Sequence, residues 1–171
     1  MNDRPDWTAR RIFAELCDPE TRTQMLTYFW KHAEDHVRIR TIMTLAKALH
    51  FREETIRKAP AEKKAAWLAT RMSSPEFEDA LEMGLMIYLT REKKEMLGAF
   101  LDFWGIPHEE GAIEVDEYEA PTEEKVESAV EQLAPRFPRQ EMTIYLAAAG
   151  LLMGQEWRDS AWPVVNRLVS S

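Results

Sequence analysis

Apolar residues recur at a spacing of three and four along most of this chain, and only a helix turns that spacing into a continuous face. Met25, Leu26, Phe29, Trp30, Ala33 and Val37 form one stripe; Met96, Leu97, Phe100, Leu101 and Trp104 form a second; Val126, Val130 and Leu133 form a third. The apolar-polar alternation of a half-buried strand is nearly absent. Met83 to Leu89 and Met142 to Met153 are apolar on almost every side, which predicts two central helices covered by others.

Start signals agree with the stripes. Asp18-Pro19-Glu20 and Ser74-Pro75-Glu76 each set a capping side chain before a proline at the first helical position. Thr122-Glu123-Glu124 offers a hydroxyl cap followed by acids that the helix dipole favours. Helices are expected near 6–16, 18–35, 36–50, 52–58, 61–73, 75–104 with a break at Thr90, 122–134, 138–155 and 160–169. Gly105 to Pro121, rich in turn formers and acids, interrupts them. Ile113 to Val115 suits a short extended piece, too short to found a sheet. The expected fold is all-α: one domain over 1–171, a compact multi-helix bundle of eight or nine helices with one long acidic connector at about 105–121.

With 171 residues the chain buries roughly 70% of its unfolded surface and holds a core without disulfides or a structural metal. Cys17 has no second cysteine to pair with, no basic-then-apolar leader precedes it, and a reducing, cytoplasmic location is the expectation. The longest uncharged run, Met142 to Gln155, has 14 residues, against the roughly 20 needed to span a bilayer, so no membrane partner is expected.

Charge is distributed unevenly. Residues 109–127 hold nine acidic side chains against Lys125, a net −8 that equals the charge of the whole chain. Residues 38–71 hold nine basic side chains against Glu53, Glu54 and Glu62, a net +6. If the two regions meet they form an internal latch; if they do not, each is a patch for a partner of opposite charge. Glu114, Asp116, Glu117 and Glu119 are the interaction residues this reading selects.

Leu45 to Ala59, LAKALHFREETIRKA, resembles the helix-turn-helix of DNA-binding regulators. Ala46 is the small residue where two helices touch, and Leu45, Leu49, Phe51 and Ile56 hold their angle. His50 stands where glycine is usual, in a backbone region that histidine tolerates better than most. The resemblance implies a second helix in the major groove, with Arg52, Arg57 and Lys58 on the DNA and Glu53 and Glu54 opposing it.

His32 and His36 lie four apart, a spacing that places both imidazoles on one helix face and can chelate a metal, although the text is neither HExxH nor HxxEH. No Glu-x-x-His occurs, which removes the ferritin-like di-iron pattern. Cys17 precedes a helix start that favours a thiolate, opposed by Asp18. Phosphate-binding glycine loops, the hydrolase elbow and paired cysteines are all missing, so no cofactor is expected and the balance leans away from an enzyme. Six tryptophans and nine methionines, spread about one tryptophan per helix, read as core filling. The preferred function is a cytoplasmic protein-protein interaction module whose partner is another protein, with a homodimer as one form of it. The first alternative is a helix-turn-helix DNA binder and the second a metal-binding enzyme using His32 and His36.

Overall fold

Caps and close-packed side chains set where each helix begins and ends. In the computed structural model, which describes residues 6–171, ten α-helices and one two-residue strand pair occur among the described residues, so the chain is all-α. The reading of the leader falls partly on residues 1–5 and lies outside the described residues.

The described chain divides into two compact units. One is continuous, Ala9–Tyr88; the other joins residues 6–8 to Leu89–Ser171. The division falls inside a helix, so no change of composition marks it in the sequence.

The continuous unit opens with α1 (Ala9–Glu15) and α2 (Pro19–His32). Asp18 caps α2 by accepting from the Thr21 amide at 2.7 Å, with Pro19 at the first helical position. The Glu78 carboxylate caps α1 from a distance, accepting from Ala9 N at 2.5 Å, Arg10 N at 3.3 Å and Arg10 Nε at 2.9 Å. Arg22 closes the other end of α1, donating to the Phe13 and Ala14 carbonyls at 2.7 and 3.0 Å. Next come α3 (Asp35–Leu49), α4 (Glu53–Lys58) and α5 (Ala61–Ala69). A 3₁₀ turn, Pro75–Phe77, leads into α6 (Glu78–Glu92). Helix α2 packs on α5 and α3 on α4. Phe13, Met25, Phe29, Leu45, Ile56, Leu68 and Phe77 are fully buried between them. Gly84 lets α6 approach α2 closely: an added Cβ would stand 3.2 Å from the Met25 carbonyl oxygen and 3.3 Å from Phe29 Cβ.

The second unit contains α7 (Lys94–Trp104), α8 (Glu123–Leu133), α9 (Arg139–Leu152) and α10 (Gln155–Ser170). Helix α9 is buried on all sides from Met142 to Gly150, whereas Leu152 and Met153, the end of the run expected to be covered, are exposed. It pairs with α10, and the Trp162 indole lies against Gly150 and donates to the Ala147 carbonyl at 3.1 Å. Trp7 belongs here, donating to Asn166 Oδ1 at 3.2 Å.

Several expected boundaries move. The helix expected at 18–35 stops at His32, where Ala33 and Glu34 turn extended; Ala33 and Val37 stay buried across the break, so the stripe conceals it. The break in 75–104 falls at Lys93 and not Thr90. The last helix starts at Gln155, five residues early, because Gly154 at φ 108° turns the chain there, and Pro163 is carried inside it. Met86, on a helix expected to be covered, is exposed.

Candidate acidic interaction segment

The connector is held by a lock at each end. Helix α7 ends on Gly105 at φ 69°, whose amide bonds the Asp102 carbonyl at 3.1 Å while the Ile106 amide bonds that of Leu101 at 2.9 Å. This double bond across a left-handed residue ends the helix and drives Ile106 into the interior. The chain then forms a hairpin, β1 (His108–Glu109) antiparallel to β2 (Ala112–Ile113). Both turn residues, Glu110 at φ 49° and Gly111 at φ 84°, are left-handed, which matches the twist of a two-residue hairpin. Gly111 is required twice over, since an added Cβ would stand 2.8 Å from Leu97 Cβ.

His108 pins this hairpin to α7. Its Nε2 lies 2.9 Å from Asp102 Oδ1, and its Nδ1 accepts the Gly111 amide proton at 3.1 Å. Because an amide can only donate, Nδ1 is the bare nitrogen and Nε2 carries the proton toward Asp102. Gly98 makes room for the ring, with its Cβ position 3.0 Å from His108 Cε1. Both nitrogens are engaged, so His108 acts as a structural pin. The open cleft beside it, about 350 Å³, is lined by Lys94, Glu95, Asp102, Glu110 and Arg136 among others. Lys94 pairs with Glu110 at 3.0 Å and Arg136 with Glu95 at 3.4 Å.

Beyond the hairpin, residues 114–121 are extended and irregular, with Glu114, Asp116, Glu117 and Glu119 exposed. Val115 and Tyr118 are half-buried, Tyr118 meets Trp157 edge-on at 6.4 Å, and Pro121 is buried. Thr122 then caps α8 by accepting from the Lys125 amide at 3.4 Å. No ion pair engages Asp116, Glu117 or Glu119 among the described residues. Glu109 lies beside Glu114, and a side-chain hydrogen bond from it, which favours the protonated form, raises the Glu114 pKa above the ordinary glutamate value.

The left-handed turn expected at His50 is present. His50 closes α3 in the left-handed conformation, φ 55° and ψ 38°, with its amide and that of Phe51 bonded back to Lys47 and Ala46. Ile56 is buried as expected, but Phe51, expected to hold the helix angle, is 42% exposed and stacked edge-on against Trp67 at 5.3 Å. Arg57 and Lys58 answer Glu53 and Glu54 on their own helix at 4.0 and 2.8 Å, which leaves Arg52 as the unanswered cation of the three.

The paired-histidine reading loses its premise. The chain break at Ala33 and Glu34 puts His32 at the end of α2 and His36 at the start of α3, so the two do not share a helix. His36 Nδ1 lies 3.3 Å from Glu34, His32 stacks on Tyr28 at 5.5 Å, and no cluster of three metal-binding side chains occurs among the described residues. Cys17 is buried beside Met25, and that burial pushes its thiol up to about 12, the reverse of an activated nucleophile.

His108, Asp102 and Gly111 were not singled out by sequence reasoning. Glu110-Gly111 between short β-compatible pairs was the available signal for the hairpin; nothing in the sequence ties His108 to Asp102. Compared with protein-family models, curated proteins and solved structures, the chain matches none.

Proposed function

We propose that this protein is an interaction module that presents the acidic segment 114–119 to a basic surface of a protein partner. The observation that supports the reading is the set of exposed carboxylates at Glu114, Asp116, Glu117 and Glu119, on a segment anchored by Ile106, the His108 pin, Tyr118 and Pro121. An anchored segment loses less conformational freedom on binding than a free tail. Its charges, facing water and unmatched by nearby cations, steer encounter and select partners more than they add affinity.

Replacing the four by Gln, Asn, Gln and Gln tests this. The expected result is a melting temperature changed by no more than about 2 °C, since exposed substitutions cost little, together with loss of the partner that co-purifies with the wild type. A large fall in melting temperature with the partner retained would falsify the reading.

A second reading, DNA binding through Arg52, Arg57 and Lys58, is supported by the left-handed His50 turn between α3 and α4. It draws less support because Arg57 and Lys58 are neutralised on their own helix. A gel shift that stays negative at low salt removes it, since attraction to phosphate is strongest there.

A further inference from the structure

The outward side of α3 carries apolar residues in the open, Ile39 at 50% and Met43 at 51% exposed, one turn apart, with Phe51 following at the helix end. Phe51 meets Trp67 of α5, the Lys63 ammonium lies 5.3 Å from the Trp67 ring, and Arg71 reaches the Ala48 carbonyl at 3.3 Å. These contacts join the end of α3 and the outer side of α5 into one surface.

Its charge becomes clear once paired groups are set aside. In this unit Arg38, Arg40, Arg57 and Lys58 each have a carboxylate partner. Lys47, Arg52, Lys63 and Arg71 are exposed and have none among the described residues. What remains is an apolar strip rimmed by four unanswered cations. In the other unit Asp116, Glu117 and Glu119 are among the acids left unanswered, and Val115 and Tyr118 lie beside and between them in the same segment.

We propose that the α3–α5 surface docks the 114–119 segment of a second copy of this chain, an inference that rests on the interaction reading of that segment. The two halves are complementary in charge, and both present apolar groups between the charges. A phosphate backbone or an anionic lipid surface fits less well, because the unanswered cations are separated by the Glu53–Arg57, Glu54–Lys58 and Glu62–Lys31 pairs and offer no continuous positive run to a continuous negative one. Discrete carboxylates on a peptide can be placed to avoid those pairs. Each copy holds both halves, so each can offer its segment to, and accept a segment from, another copy.

Sedimentation velocity on the full chain tests this at about 10 mM and about 1 M salt, where the screening length falls from about 30 to about 3 Å. The expected result is a dimer at low salt whose Kd rises at least about tenfold at high salt. Reversing the rim (Lys47→Glu, Arg52→Glu, Lys63→Glu) and reversing the segment (Asp116→Lys, Glu117→Lys, Glu119→Lys) should each abolish the dimer, and mixing the two variants should restore a mixed one. Circular dichroism melts of both variants check that they fold. A monomer at low salt, a reversed variant that still dimerises, or folded variants that fail to pair overturns the inference, as does nucleic acid that co-purifies with the wild type and is lost with the rim variant. A monomeric wild type whose segment variant still loses a co-purifying protein sinks the self-docking inference and leaves the interaction reading standing.

Discussion

His50 is a side chain in a conformation that suits glycine better. At φ 55° its Cβ crowds the backbone, a cost of about 1 kcal/mol that glycine avoids. His50→Gly is expected to stabilise the protein by about 0.5–1 kcal/mol, read as a higher urea midpoint with an unchanged slope. Gly150 is the opposite case: a methyl group there would fall inside the Trp162 indole. Gly150→Ala should destabilise by about 1–3 kcal/mol through forced repacking, and its melting temperature should fall accordingly. Between these lies Glu78, whose carboxylate serves three donors at the start of α1. Glu78→Ala should cost about 1–2 kcal/mol, the range for losing a helix cap, with amide exchange quickening first at Ala9 and Arg10. Of these three residues only His50 was legible from the sequence, because its partners are neighbours along the chain. Gly150 and Glu78 take their roles from residues 12 and 69 positions away, and no local pattern encodes that.

Among the elements, the helices were read from stripes and caps, and what the stripes hid were the places where a chain breaks while its apolar face continues. Ala33 and Val37 point inward on either side of the break between α2 and α3, so periodicity alone joined two helices and produced the false pairing of His32 with His36. The start expected at 160 fails in the other direction, since α10 begins at Gln155 and carries Pro163 inside it while Arg158 and Trp162 stitch the helix to the Gly150 and Ala147 carbonyls at 2.9 and 3.1 Å. The acidic segment was legible as charge, whereas its anchoring was not. Its behaviour in acid follows from the Glu109–Glu114 contact. The folded chain holds the Glu114 proton to higher pH than the unfolded chain does, so raising the pH through that range costs stability and lowering it regains stability. Glu114 thus loses its charge on acidification at a pH above the ordinary glutamate range. Affinity for a cationic partner should begin to fall above the ordinary glutamate range in the wild type, and Glu114→Gln should remove that early step from a titration of binding against pH.

For the whole molecule, an all-α reading follows from spacing alone, yet the division into two units does not. Ordinary domain boundaries lie in polar, flexible linkers; here the chain crosses from one unit to the other between Tyr88 and Leu89, inside α6. Limited proteolysis should therefore cut first in the irregular stretch 114–120, leaving the 88–89 crossing intact, which mass spectrometry of the first fragments would show. Trp7 adds a consequence for how the chain is made. It sits with a unit whose remaining residues come after position 88, and its hydrogen-bond partner Asn166 is 159 residues downstream. Residues 9–88 emerge from the ribosome as a contiguous insert well before their host is complete. A nascent chain halted ahead of α10 would carry that insert while its Trp7 indole stayed undocked, an apolar handle for chaperones that vanishes once translation reaches the last helix.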